Sequence, residues 1–181
     1  MTCIFNINSF EIFLVIVQSH LKGNGANFVR DWKQYRNGFG SVAEKNYWIG
    51  LEKLHDLTDS GSYGLQIVLK LNGGETKVIE YDTFRVTGEN DKYRLWVSGF
   101  RPGNSGLQDR LKRHSGKPFT TYDRDNDLAD KINCAQHYGS AGWWFDACYD
   151  SHLNNPQGPT WIVWNQYEEE STMILNKSKY I

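Results

Sequence analysis

The sequence predicts an α+β fold: an antiparallel sheet with short helices, then a loop-rich C-terminal part. Three observations carry this. Aromatic residues and leucines recur at helical spacings between positions 28 and 54. Two strand-like runs flank Asn72-Gly73-Gly74, the pattern of a tight hairpin. From residue 101 onward Pro, Gly, Asn and Asp punctuate the chain, leaving room for few regular elements. A chain of 181 residues fits one domain and can bury a sizeable core.

The elements follow in order. Phe10 to Val17 is apolar except for Glu11. No Lys or Arg precedes it, so it lacks the form of a cleaved leader, and it is too short to span a bilayer. Val15-Ile16-Val17 reads equally well as a β-strand, and Gly23-Asn24-Gly25 supplies a turn after it. Phe28, Trp32 and Tyr35 lie four and three residues apart, which places them on one helix face ended by Asn37-Gly38. Trp48, Leu51 and Leu54 repeat every three residues and predict a second short helix before Thr58. Strands are expected at Leu65–Leu71, Lys77–Val86 and Tyr93–Val97, where β-branched and aromatic residues gather. In the C-terminal part only Trp161–Trp164 and Thr172–Leu175 look like strands returning to the sheet. Long irregular segments inside a compact domain need something to hold them, and metals or disulfides are candidates.

The net charge of −1 gives no pull towards nucleic acid or an anionic membrane. The basic run Arg110 to His114 reads as a solvated loop. Gly-Xaa-Ser-Xaa-Gly and His-Glu-Xaa-Xaa-His are both absent, and the five histidines show no ligand spacing. Binding rather than catalysis is therefore expected. Cys134 and Cys148 enclose thirteen residues. As a disulfide they would stabilise the fold by about 3 kcal/mol and imply an oxidising compartment. Two free buried thiols are the alternative, and spacing alone leaves both open. Cys3 is left over, and the sequon Asn176-Lys177-Ser178 is of a kind that arises often by chance.

Two stretches carry chemistry. In Asp123-Arg124-Asp125-Asn126-Asp127, three carboxylates at alternate positions repel one another unless a cation or water screens them. Calcium takes about six to eight oxygen ligands from carboxylates, carbonyls and water, and this run with its following loop offers them. The spacing is not that of an EF-hand, because the sixth position is Leu128 and the twelfth is Cys134. A solvated acidic turn is the alternative. In Gly142-Trp143-Trp144-Phe145, consecutive tryptophans cannot both face one core from a strand. Tyr138, Trp144 and Tyr149 are candidates for an aromatic cup that takes acetyl methyls, sugar faces or cations; a purely core role is the alternative.

Phe28-Val29-Arg30-Asp31-Trp32, Tyr47-Trp48-Ile49-Gly50-Leu51-Glu52 and Tyr81-Asp82-Thr83-Phe84-Arg85-Val86 lead to the most specific string, Phe119-Thr120-Thr121-Tyr122-Asp123-Arg124-Asp125-Asn126-Asp127. Asn133-Cys134-Ala135, Gly142-Trp143-Trp144 and Cys148 follow. In this order, from about Asn27 to Tyr180, the chain resembles the fibrinogen C-terminal domain family, which includes ficolins, tachylectins, tenascins, angiopoietins and the fibrinogen chains. The resemblance divides the chain into an atypical N-terminal segment, 1–26, and the family domain, 27–181. It implies a secreted, extracellular recognition domain with a central antiparallel sheet. It implies calcium held by the carboxylates of Asp125 and Asp127 and the carbonyls of Ala129 and Lys131, with Asp123 in support. It implies a Cys134–Cys148 disulfide, a cis peptide between Ala147 and Cys148, and a pocket formed by His137, Tyr138, Trp144, Ala147, Cys148 and Tyr149. Such a pocket receives acetyl groups or peptide ends, so acetylated glycans or extracellular proteins are the expected partners, and an oligomeric parent protein is expected. Three departures bear on the ligand. Tyr149 stands where the family commonly has His, the segment after Leu153-Asn154-Asn155 is short, and the upstream Cys pair is missing. They leave a matrix or receptor-binding module with a vestigial pocket as the rival to a lectin.

Overall fold

The computed structural model describes residues 2–7, 10–161 and 167–177. Among these residues seven strands form one antiparallel sheet. They are β1 (Thr2–Ile7), β2 (Phe10–Leu21), β3 (Asn46–Trp48), β4 (Tyr63–Lys70), β5 (Thr76–Val86), β6 (Leu95–Arg101) and β7 (Glu170–Lys177). The spatial order is β1-β2-β7-β4-β5-β6, with β3 also paired to β2. The hairpin at Asn72-Gly73-Gly74 joins β4 to β5, and both glycines take the positive φ that the turn requires. β7, from the far end of the chain, slots between β2 and β4 with Ser171, Met173 and Leu175 buried at every second position.

Three short helices accompany the sheet: α1 (Trp32–Asn37), α2 (Leu51–Asp59) and α3 (Cys134–His137). Their boundaries differ from the sequence expectation for local reasons. Phe28 belongs to a separate 3-10 turn, because Asp31 starts α1 with a capping box. Asp31 Oδ1 accepts from Gln34 N at 2.7 Å, and Gln34 Oε1 accepts from Asp31 N at 3.2 Å. Trp48 lies in β3, not in a helix, since Gly50 with φ 105° breaks the chain before α2. Tyr93 precedes β6, because Lys92 and Tyr93 both adopt left-handed φ. Residues 162–164 of the strand expected at Trp161–Trp164, the side chain of Cys3 and Ser178 of the sequon lie outside the described residues.

The core joins sheet, helices and loops through stacked rings. Trp144 lies 5.2 Å from Phe119 and 6.0 Å from Trp48, and Tyr35 lies 5.1 Å from Phe119. Gly142 is the close approach that permits this. A Cβ there would stand 2.6 Å from the Phe119 ring and 2.9 Å from the Tyr35 ring. The irregular C-terminal part is tied to the sheet by buried polar groups of β2. Gln18 Nε2 donates to Leu153 O at 3.1 Å and to Ser171 Oγ at 3.0 Å, and His20 Nδ1 donates to Leu153 O at 2.8 Å. Asn154 Nδ2 carries the connection on to Gly142 O at 3.1 Å.

Candidate functional site

The acidic run forms a tight turn. Thr121 and Arg124 exchange backbone hydrogen bonds at 3.1 and 3.2 Å. The turn is fastened to α1 from two directions. Asp123 Oδ1 accepts from Trp32 N at 3.0 Å and from Thr121 Oγ1 at 2.7 Å, while the Arg124 guanidinium lies 4.3 Å from the Trp32 ring centroid. Asp123 is thus occupied as an anchor.

Asp125 and Asp127 sit in the next part of the loop. Asp125 Oδ1 accepts from Asp127 N at 3.2 Å. Asp127 Oδ1 accepts from Ala129 N at 2.9 Å, and Asp127 Oδ2 from Cys134 N at 2.8 Å. Burial pushes the Asp127 carboxyl above its usual range, and the neighbouring Asp125 carboxylate adds to this against the two backbone bonds. A buried carboxyl raised in this way beside a second carboxylate is a setting that a divalent cation relieves. The carbonyls of Ala129 and Lys131 accept no hydrogen bond from the described residues, so both remain available as donors. No group of three or more His, Cys, Asp or Glu side chains converges among the described residues. A calcium ion here would therefore rest on two carboxylates, backbone carbonyls and water, a donor set that fits its preference for oxygen.

This loop is joined to a disulfide. Cys134 and Cys148 are bonded, with their Cα atoms 5.6 Å apart. Asn133 caps α3 by accepting from Gln136 N at 2.9 Å, and its Nδ2 donates to Thr121 O at 3.0 Å. Leu128 N donates to Asp146 O at 3.1 Å. The acidic loop is thus bonded to the segments carrying both cysteines. The Ala147–Cys148 peptide is cis, in agreement with the resemblance.

Beside the disulfide lies a cleft of about 290 Å³ containing Tyr138, Ala147, Cys148 and Tyr149. Arg110, Arg113 and Asp150 complete its lining. A second cleft of about 230 Å³ adjoins it, sharing Tyr138 and Tyr149 and adding His137, Asn155 and Tyr167. The Tyr138 and Tyr149 rings meet edge to face at 4.9 Å, and His137 packs on Tyr138 at 4.7 Å. Five of the six expected pocket residues therefore gather in these two clefts. Trp144 does not. It is fully buried in the aromatic core and its Nε1 donates to Tyr93 O at 2.8 Å, which corrects its expected place in the pocket. Tyr149 is only 6 % exposed, so little of its surface is open to a ligand.

The arginines were missed because the run Arg110 to His114 reads as a plain basic loop. Its signal was the alternation within it: Leu111 and His114 are fully buried, and Arg110 and Arg113 reach the cleft. Arg113 is a three-way clamp. Its Nε donates to Asp146 Oδ2 at 3.0 Å, one terminal nitrogen to Asp150 Oδ1 at 3.1 Å and the other to Ala147 O at 3.0 Å. Burial opposes ionisation of Asp146, but Lys117 and Arg113 outweigh it and hold that carboxyl below its usual range.

The comparisons with known proteins agree with this architecture. The family described as the C-terminal globular domain of fibrinogen beta and gamma chains matches residues 6–175, and the chain belongs to that family. Its members are binding domains and not enzymes. Human ficolin-3 is 41% identical over 139 residues, covering 77% of this chain and 45% of ficolin-3. The chain thus spans less than half of that relative. The fibrinogen-like globe domain of human ANGPTL2 superposes with a TM-score of 0.82 at 27% identity, covering 98% of this chain and 92% of that one. Lamprey fibrin D-dimer, solved with the peptide Gly-His-Arg-Pro-amide, superposes with a TM-score of 0.81 at 29% identity, covering 98% and 65%. No helix of the described residues is long and apolar enough to cross a membrane.

Proposed function

We propose that the chain is a calcium-dependent extracellular recognition domain that binds acetyl-bearing sugars in the cleft beside Cys148. One observation carries the reading: the acidic loop, the disulfide and the cleft form a single connected unit. Asp127 accepts from Cys134 N, Cys134 is bonded to Cys148, and Cys148 lines the cleft. Calcium on Asp125 and Asp127 would hold the loop that holds the cleft wall. Among the described residues the backbone N–H groups of Ala147 and Cys148 have no acceptor. They are suited to an acetyl carbonyl, while Tyr138 and the small exposed part of Tyr149 receive the methyl. The disulfide supports an oxidising, extracellular location.

A second reading is a protein-binding module. It is favoured by the withdrawal of Trp144 into the core, by the short chain between Asn155 and Trp161, and by the peptide held in the lamprey relative. One experiment separates the two. The oxidised domain is passed over immobilised N-acetylglucosamine with calcium, then with a chelator, then with free sugar. Capture that the chelator abolishes and free N-acetylglucosamine competes away is the expected result. A folded, calcium-loaded and artificially multimerised domain that does not bind would overturn the sugar reading in favour of a protein partner.

A further inference from the structure

Arg124 is a cation inside the acidic run, with Asp123 before it and Asp125 after it. Left near those carboxylates, it would repel a second cation. The structure places its guanidinium elsewhere, 4.3 Å from the Trp32 ring centroid and with Nη1 3.4 Å from Glu89 Oε1. The bonds that Asp125 and Asp127 accept come instead from backbone N–H groups. Glu89 opens the 3-10 turn Glu89–Asp91 and is held in place from α1. Its Oε1 accepts from Trp32 Nε1 at 2.8 Å, and its Oε2 lies 3.1 Å from Arg36 Nε, which Glu52 shares at 3.3 Å. Trp32 is 7 % exposed, so its ring is a fixed surface, and its backbone N–H is the one that anchors Asp123. One tryptophan and one carboxylate thus take hold of Arg124 from ring face and edge.

We infer that Glu89 is a positioning residue for calcium: it keeps the Arg124 guanidinium on Trp32 and away from Asp125 and Asp127. This rests on the calcium reading above and adds what sets the ion's affinity. Without the Glu89 charge, the guanidinium has the carboxylates of its own loop to turn to, and there it competes with the ion. An exposed ion pair contributes little to folding, so the effect falls on calcium affinity and not on stability.

The test is calorimetric titration of the oxidised domain with calcium chloride at pH 7 and low salt. Four proteins are compared: the parent, Glu89→Gln, Arg124→Gln and the double variant. Glutamine at 89 still offers an oxygen to the Trp32 indole and removes only the charge. Glu89→Gln is expected to weaken calcium binding roughly fivefold to tenfold, with the deficit shrinking as salt is raised. In the Arg124→Gln background the same change should cost less than about twofold, because no guanidinium is left to divert. Thermal midpoints without calcium should stay close to the parent's in all four. Glu89→Asp keeps the charge one methylene short and should lose only part of the affinity, so the comparison survives a glutamine variant that fails to fold. Equal calcium affinity in the parent, Glu89→Gln and Glu89→Asp overturns the inference and leaves the calcium reading standing. An equal loss with and without Arg124 also overturns it, since Glu89 would then act through packing alone. A folded parent that takes up no calcium overturns both.

Discussion

His114 links the basic turn to the cleft through hydrogen bonds that only its neutral form can make. Nδ1 donates to Trp144 O, and Nε2 accepts from Asp150 N and Ser151 N at 3.2 Å each. Burial lowers its pKa from 6.5 to about 4, outweighing the bond to Trp144 O. His20 is lowered to about 4 by the same cause, against its bond to Leu153 O. The unfolded chain therefore binds protons more readily than the native one between pH 6.5 and 4. Stability is fully present above pH 6.5 and falls as pH drops through that window, by on the order of 3 kcal/mol for each residue. Urea midpoints measured at pH 7 and pH 5 should show the fall. In His114→Phe the fall should be smaller, while stability at pH 7 drops by about 1–3 kcal/mol because Asp150 N and Ser151 N lose their acceptor. A midpoint that does not move between pH 7 and pH 5 would contradict the account. At this scale the sequence was legible for charge and not for direction. Asp125, Asp127, Tyr138 and Cys148 announce themselves by type and spacing. Whether Trp144 faces inward or outward depends on Phe119, Trp48 and Phe84, which arrive from distant parts of the chain.

The short elements near the site owe their existence to specific bonds more than to propensity. α1 is held by the Asp31–Gln34 box and stopped by Gly38 with φ 89°. Asp31→Ala should cost about 1 kcal/mol in a denaturation experiment. α3, only Cys134–His137, depends on Asn133, Asp127 and the disulfide together. Cys134→Ala with Cys148→Ala should lower stability by about 3 kcal/mol, the value for closing a loop of this length. The double variant should also lose sugar capture at temperatures where it remains folded, since Cys148 forms part of the cleft. A double variant that captures sugar as the parent does would remove the disulfide from the binding argument. The strands around Asn72-Gly73-Gly74 could be read from the sequence because one local turn dictates them. The helix boundaries could not, because Asp31 and Gly50 interrupt an aromatic periodicity that continues across them.

Across the whole molecule, the sheet supplies rigidity and the loops supply recognition. β2 and β7 lie far apart in the sequence and pair along most of their length, so the frame closes only when both strands are in place. Its topology could not be read locally, since nothing near Glu170–Lys177 says that it inserts between β2 and β4. Beside the disulfide the frame presents a group of neighbouring clefts, each of about 300 Å³ or less. A region of that size contacts one or two sugar rings, and ordering them opposes much of the contact energy. A single copy should therefore bind weakly. Several copies facing one surface turn the later binding events into intramolecular ones, and the apparent affinity rises by about 10²–10⁴-fold without any new contact. This predicts that the biotinylated domain, held four to a streptavidin, captures a dense N-acetylglucosamine surface at least about 100-fold more tightly than the monomer. The gain should vanish when the sugar density is too low for two sites to be reached together. Equal binding by monomer and tetramer on the dense surface would mean that one copy already makes a large, complete interface. That outcome would point to an extended protein partner covering far more than these clefts.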